Sequence, residues 1–373
     1  RNSSAASDVY KRQCPYYYNL IKNIKLASFR CFDGANFNFS DNINFFYGVN
    51  GSGKTSLLES IFLCGNAKSF KTSKSDSLIK AGCDLFNIEA TLSGSNKVIS
   101  IAKSSKNRIK VKLNNSIASA KQLMECLPII SVDSKMFFLA TNSPEYRRKV
   151  LDKTLFLLSK DYQFNWFSYH KSLRQRNACL RDGSFQQAKS HNPLITKYGE
   201  LLNNIRSMFI ENLHTTFRSL VKINYESPFF SLLNELDIKL FSGYESSNDV
   251  FNLDQCFDDD CSRRTTTKGP HKADIVLSLG GVAVSEIFSR GEEKIFSIVF
   301  GLALAKTLIE NGQPCITLID DISSEIDNKR LTNLIRIIEL FDGQLFFSNI
   351  SDVFNSTIEH DNLIKKFHME QFN

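Results

Sequence analysis

The sequence predicts an α/β protein whose two ends fold together into one lobe around an inserted helical segment. Three observations predict it. Gly48-Val49-Asn50-Gly51-Ser52-Gly53-Lys54-Thr55 fits the pattern G-x-x-x-x-G-K-[ST] and lies between a strand-like and a helix-like stretch. Far downstream, the apolar run Ile316-Thr317-Leu318-Ile319 stops abruptly at Asp320-Asp321. Between them, from about Ser131 to Cys261, apolar residues recur at helical rather than strand spacing.

The first element is the loop and its flanks. Ile43 to Tyr47 reads as a short buried strand, and Leu57, Leu58, Ile61 and Phe62 repeat at helical intervals up to Gly65, a helix-ending residue. Glycines let backbone N–H groups converge on phosphate oxygens while the helix that follows points its positive end at the same place. Gly48 to Thr55 are therefore the candidate nucleotide-binding residues, with Lys54 reaching the terminal phosphates and the Thr55 hydroxyl placed for Mg²⁺. A Gly/Ser-rich turn joining strand to helix is the simpler alternative.

Composition sets the frame. A chain of 373 residues, 42% hydrophobic and 23% charged, has the makings of two or three lobes with real cores. The longest apolar run, Ile295 to Ile309, is broken by Gly301 and Lys306 and is too short to cross a bilayer, so no membrane association is expected. Nine irregularly spaced cysteines point to reduced thiols and a cytoplasmic setting. The net charge of +7 permits a polyanionic partner, but 31 Phe among many Asn, Ile and Lys residues suggest codon bias, which weakens that argument. Arg1 to Gln13 is polar and aperiodic and is expected to be a non-native or disordered head outside the fold.

In chain order, residues 14–130 are expected to form the first part of the lobe. Ile21, Ile24, Leu26 and Phe29, then Phe37 and Phe39, alternate as strands do, and Phe86 to Leu92 and Lys97 to Leu113 follow suit. Lys103, Lys106, Arg108, Lys110 and Lys112 on the last stretch read either as a solvated sheet face or as a phosphate-backbone track. Residues 131–262 form the helical insertion, without the sustained heptads of a long coiled coil. Ser246 to Cys261, with Asp258-Asp259-Asp260, reads as a mobile acidic loop. Residues 263–373 complete the lobe: a strand at Ile275 to Leu279, a Gly280-Gly281 turn, a helix closed by Asn311-Gly312, the acidic strand, and a last strand at Leu345 to Phe347.

The acidic strand is what a phosphate loop needs beside it. One carboxylate holds Mg²⁺ through water and a second orients or deprotonates the attacking water, although an Asp pair also caps many strand-to-helix turns. Since about 265 residues separate Lys54 from Asp320, the two halves must meet across an inserted lobe. Ser289-Arg290-Gly291-Glu292 fits a capping box at a helix start. A Ser and a Gly at a helix N-terminus ahead of the acidic strand is also the arrangement of an ABC-type signature, which completes the phosphate loop of a second subunit. Both readings use the free N–H groups there.

In this order, phosphate loop, helical insertion, Ser289-Arg290-Gly291 with Lys294, Asp320-Asp321 and Ser324-Glu325-Ile326-Asp327, the chain resembles the RecF family of bacterial DNA replication and recombination-repair ATPases. Gly269 to Asp274 (G-P-H-K-A-D) and Ser143 to Asp152 are similar to two further segments of that family. The resemblance implies an ABC-type phosphate-loop ATPase head, like that of SMC proteins but without the long coiled coil. It implies ATP-driven homodimerisation on single- and double-stranded DNA at gaps or junctions, with release by slow, DNA-dependent hydrolysis. A part in DNA damage repair and the SOS response, with RecO and RecR helping to load recombinase, is implied too.

Carried onto this chain, the resemblance makes Thr55 and Asp320 the Mg²⁺ residues, Asp321 the water-orienting group, and Ser289, Arg290 and Gly291 the residues that act in trans. Glu325 and Asp327 would lie at the subunit interface. Arg30, Lys68 and Lys71 are the candidate DNA or nucleotide contacts, Arg147 and Arg148 are structural or functional, and His271 is a packed residue rather than a base. Asn142, Val150 and Glu292 depart from the family pattern, which usually has Gly, an aromatic and Gln there. Glu292 is expected to weaken the dimer-dependent step. No switch His follows the last expected strand, where Ser348 and Asn349 stand.

Two other functions stay open at this point: a transporter's nucleotide-binding subunit, and a DNA clamp that binds ATP without turnover. A guanine-reading N-K-x-D segment is lacking, because Asn328-Lys329 runs into Arg330-Leu331.

Overall fold

A computed structural model of the chain describes residues 19–94, 96–244, 251–354 and 363–372, so the Arg1–Gln13 head and the start of the Ser246–Cys261 tract lie outside the described residues. The chain divides into two compact units. The first comprises residues 1–129, 314–321 and 343–373, and the second 130–313 and 322–342.

The first unit holds an antiparallel sheet and a parallel one. The antiparallel sheet runs in the order Phe32–Asn38, Ile21–Phe29, Leu85–Leu92, Val98–Ser104, Lys110–Leu113, Ser116–Ile117. In the parallel sheet the loop strand Ile43–Tyr47 sits between Ile364–His368 and Leu345–Asn349, and Ile316–Ile319 lies beyond the latter. Ile364–His368 is a strand the sequence reading lacks. Its alternation is weak, since Lys365 and Lys366 interrupt it and only Phe367 of the five is buried.

Phenylalanine builds the core between these sheets. Phe39 meets Phe346 edge-on at 4.9 Å, Phe46 meets Phe367 at 5.3 Å, and Phe37 reaches Phe372 at 4.5 Å. Such contacts add to simple area burial, which is why so many Phe are tolerated here. One fully buried polar side chain ties the two sheets together. The Gln344 amide donates to the carbonyls of Ile21 (2.8 Å) and Ser40 (2.9 Å) and accepts from Ile21 N–H at 2.8 Å, which satisfies its polar atoms. Lys103 is also buried; its ammonium pairs with Asp76, so it belongs neither to a solvated face nor to a phosphate track. Lys110 and Lys112 do point to solvent.

The second unit is mainly helical, with Pro144–Leu158, Lys160–Arg181, the 30-residue Asn192–Val221, Arg290–Glu310 and Asn328–Glu339 as its long helices. A three-stranded antiparallel sheet orders Val282–Ala283, Asp274–Leu279 and Asp237–Phe241. The unit boundary falls elsewhere than the sequence suggests. Arg263 to Gln313, read with the ATPase lobe, belongs to the helical unit, because Asp274–Leu279 pairs with Asp237–Phe241 and Phe296 packs on Phe217 at 5.8 Å. Those pairings span long sequence separations, which periodicity alone does not reveal.

The described part of the acidic tract is likewise no loop. Phe257–Arg263 is a helix, and Asp260 is fully buried against Arg176 at 2.7 Å while also accepting from Thr267 N–H. The Gly269–Asp274 and Ser143–Asp152 segments turn out to be partners. Arg147 forms a two-pronged pair with Asp274 (2.8 and 2.7 Å), Arg148 donates to the Ala273 carbonyl, and Asp152 and the Pro270 carbonyl share Arg206 at 2.7 and 2.8 Å. These are structural joints, well suited to arginine's planar fork.

His271 is half-buried in the same joint. Its Nε2–H donates to the Thr266 carbonyl at 3.1 Å, so Nδ1 must accept from the Tyr169 hydroxyl at 2.8 Å. Burial pushes its imidazole down to about 4 from an ordinary 6.5. The unfolded chain thus takes up a proton below pH 6.5 that the folded one refuses until about pH 4. Stability is full above 6.5 and drains as pH falls toward 4, by as much as ~3 kcal/mol. Denaturant melts of His271→Gln between pH 7 and 4.5 should show a shallower loss than the parent; parallel curves would mean the joint does not couple to protons.

Candidate functional site

The loop strand delivers the chain to Gly48, and the loop turns into the helix Lys54–Asn66 through Gly53. Gly53 has φ +90°, and a Cβ there would lie 2.8 Å from the Phe32 ring and 2.9 Å from Cys31 Sγ. Only glycine meets both demands. Gly48, Ser52 and Lys54 are buried, while Val49, Asn50 and Gly51 form the exposed rim. Lys54 Nζ curls back over the loop and donates to the carbonyls of Gly48 (2.6 Å) and Val49 (2.9 Å). Burial lowers its proton affinity, and the carboxylates of Asp321, Asp320 and Glu370 oppose that.

The acidic strand arrives beside it within the same unit. Thr55 Oγ1 donates to Asp320 Oδ1 at 3.0 Å, and Ser348 Oγ donates to the same oxygen at 2.8 Å. Ser348 Oγ in turn accepts from the Asp321 N–H at 2.8 Å. Asp321 adopts φ +53°, a left-handed conformation that Asp tolerates better than most residues, and this turns the chain away from the strand end. Desolvation raises the proton affinity of Asp320, although its two hydroxyl donors pull the other way.

This donor set suits a small hard cation. Thr55 and Asp320 offer only oxygen, and the half-buried, desolvated Asp320 carboxylate would be relieved by a positive charge. No group of three or more His, Cys, Asp or Glu residues gathers anywhere among the described residues. A divalent ion here would therefore complete its shell with phosphate and water oxygens, as Mg²⁺ commonly does.

Two participants escaped the sequence reading. Ser348 bridges both aspartates, and the signal was its place at the end of an apolar strand, Leu345–Asn349. Glu370, just past the unforeseen strand, accepts from the Val49 N–H of the loop at 3.1 Å. His368 lies 3.7 Å from it and stacks on Tyr47 with ring centroids 5.0 Å apart.

Of the candidate DNA contacts, Arg30 is already engaged. It grips the buried Glu59 of the loop helix through Nε (2.8 Å) and Nη2 (2.9 Å) and donates to the Ser77 carbonyl. The Ser69 hydroxyl also donates to Glu59 and accepts from the N–H groups of Lys71 and Thr72, each at 2.9 Å. That shapes the Lys68–Thr72 segment, in which Lys68 and Lys71 are exposed and the Lys71 charge is felt by Asp320.

Ser289, Arg290 and Gly291 lie on the second unit, at the start of Arg290–Glu310. The capping box is real: Glu292 Oε2 accepts from the Ser289 N–H (2.9 Å) and hydroxyl (2.8 Å). Gly291 is required by close approach, since a Cβ there would fall 2.2 Å from the Glu325 carbonyl oxygen. Asp327 caps the helix Asn328–Glu339 by accepting from Arg330 N–H at 3.0 Å.

Residues 20–371 match the family model described as the RecF/RecN/SMC N terminal domain. The DNA replication and repair protein RecF of Francisella tularensis subsp. tularensis (strain WY96-3418) is 31% identical over 335 residues, covering 88% of this chain and 94% of that protein. A solved structure of the recombination mediator protein RecF with ATP, in the RecFOR pathway, superposes with TM-score 0.74 at 23% identity, over 96% of this chain and 98% of that one. An Smc head domain from Pyrococcus furiosus, bound to the C-terminal domain of ScpA, shares the fold at TM-score 0.58 and 17% identity, over 89% and 90% of the two chains. No described helix is long and apolar enough to cross a membrane. With a family model spanning nearly its whole length and that identity to RecF over most of both sequences, the chain belongs to the RecF family of DNA replication and repair proteins.

Proposed function

We propose that the protein is an ATP-dependent DNA-binding protein of replication and repair, which dimerises on ATP and is released by slow hydrolysis. The observation that carries this is the chain of hydrogen bonds Thr55–Asp320–Ser348–Asp321 beside Lys54, which brings together residues 265 apart in sequence. ATP is the nucleotide favoured, since a family relative was solved with it. The Gly48–Thr55 amides and Lys54 would cradle its phosphates, and Thr55 with Asp320 would hold Mg²⁺, which supplies charge neutralisation at the terminal phosphates. Asp321 would orient water on the γ-phosphate. Ser289, Arg290 and Gly291 would offer a free helix N-terminus to the nucleotide of a second copy.

DNA gaps or single-strand/double-strand junctions are the proposed substrate, in the cytoplasm, with RecO and RecR as partners in loading recombinase. Lys68 is retained as a DNA candidate. For Lys71, whose charge reaches Asp320, the nucleotide reading is favoured over the DNA one, and Arg30 is reassigned to holding Glu59. Family membership speaks against the transporter reading.

Analytical ultracentrifugation tests the proposal. The protein should sediment as monomer alone, as dimer with ATP and Mg²⁺, and as a larger complex with ATP and gapped duplex. Sedimentation indifferent to ATP would overturn it.

A further inference from the structure

The first turn of Arg290–Glu310 carries two carboxylates at the very end proposed to meet a partner's phosphates. Glu293 is turned inward, where it accepts from the Thr141 N–H at 2.8 Å and from the Thr141 hydroxyl. Glu292 stays at the surface, and its two oxygens have different partners. Oε2 is taken by Ser289; Oε1 accepts from Arg330 Nη2 at 2.7 Å. Arg330 is itself well held, with its guanidinium 5.1 Å over the Phe229 ring and its Nε 3.5 Å from Asp327 Oδ2. The turn before it is clamped to the same helix by Lys294 Nζ, which donates to the Ser324 carbonyl at 2.9 Å, and by the Glu325 carbonyl against Gly291.

An unpaired carboxylate beside a helix N-terminus would oppose any polyphosphate arriving there, because like charges a few ångströms apart near a protein surface repel by kcal/mol amounts. We infer that Arg330 is a positioning residue for the phosphate-accepting turn: it neutralises Glu292 and keeps that carboxylate folded back on Ser289, so that the turn faces the partner as a net donor. Arg330 touches no phosphate in this scheme and acts only through Glu292. The inference rests on the proposal that Ser289 to Gly291 serve a second copy's nucleotide.

The test is a double-variant cycle in the full chain, with ATP and Mg²⁺ as ligand and dimer affinity from sedimentation as readout. Arg330→Met should weaken the ATP-dependent dimer on the order of tenfold. Glu292→Gln, which keeps the cap but removes the charge, should form a dimer at least as tight as the parent's. The double variant should return to within a few-fold of Glu292→Gln.

An Arg330 that served only Phe229 and Asp327 would not be rescued by losing the charge on Glu292, and denaturant melts of the same variants show whether the dimer losses exceed any change in monomer stability. A double variant as weak as Arg330→Met, or a Glu292→Gln dimer weaker than the parent's, overturns the inference. Glu292→Gln decides the matter by itself if Arg330→Met does not fold. Binding of a fluorescent ATP analogue to the monomer separates the two levels. If the parent binds nucleotide but never dimerises, the dimer proposal falls and takes this one with it. If the parent dimerises and Arg330→Met does so equally well, only the role of Arg330 falls.

Discussion

Lys54→Ala should abolish nucleotide-driven dimerisation and lower ATP affinity by about a thousandfold. The size follows from the site's charge balance. Asp321, Asp320 and Glu370 all act on the Lys54 ammonium. One charge pair at 4 Å in a surface-like dielectric is worth roughly 4 kcal/mol, which is about three decades in affinity. Without the ammonium, a triphosphate would meet those carboxylates with one fewer positive charge to offset them. The carbonyls of Gly48 and Val49 would also lose their donor, so Lys54→Met, which keeps the aliphatic stem, separates loop collapse from charge loss. Equilibrium binding of a fluorescent ATP analogue, with sedimentation in parallel, measures both. Retention of ATP affinity within tenfold in both variants would show that the loop binds phosphate without its lysine.

Asp321→Asn should leave binding intact and cut hydrolysis by about a hundredfold or more, the usual scale for losing a positioned base. ATP-bound dimers would then persist where those of the parent dissociate. The substitution is gentle on the fold. Asn accepts the left-handed backbone at φ +53° at least as readily as Asp, and the hydrogen bond to Ser348 Oγ uses only the main-chain N–H of residue 321, which the substitution leaves in place. A loss of turnover is therefore a statement about the carboxylate. Single-turnover phosphate release and dimer lifetime on gapped DNA provide the measurement. Dimers that fall apart as fast as the parent's would move the hydrolytic role elsewhere, with Glu370 near the loop as the next carboxylate to vary.

Much of the site was legible in linear form because its chemistry is local. Gly48 to Thr55 need only their own backbone and a following helix, and Ser289 to Glu292 cap the helix they begin, so both motifs carry their geometry within a few residues. Asp320-Asp321 was legible because an apolar strand ends there. Ser348 and Glu370 were not, since a serine after an apolar run and a glutamate past a lysine-broken strand resemble many surface residues. Lys103 misled for a related reason: in sequence it is one lysine among several, and only its pairing with Asp76 marks it as buried.

By itself, then, the chain's residue pattern determined that there is a glycine-rich loop between a strand and a helix, an apolar strand ending at two aspartates, helices between them and a capped helix start. Tertiary structure decided which of these share a unit. It placed 263–313 with the helices, paired Arg147 with Asp274, set Ser348 between two aspartates and brought Glu370 to the loop. The physical reason is reach. Glycine conformation, capping and periodicity act over one or two turns of chain. Ion pairs and buried hydrogen bonds are made between whatever the packed core brings within about 3 Å, and sequence separation does not enter that condition.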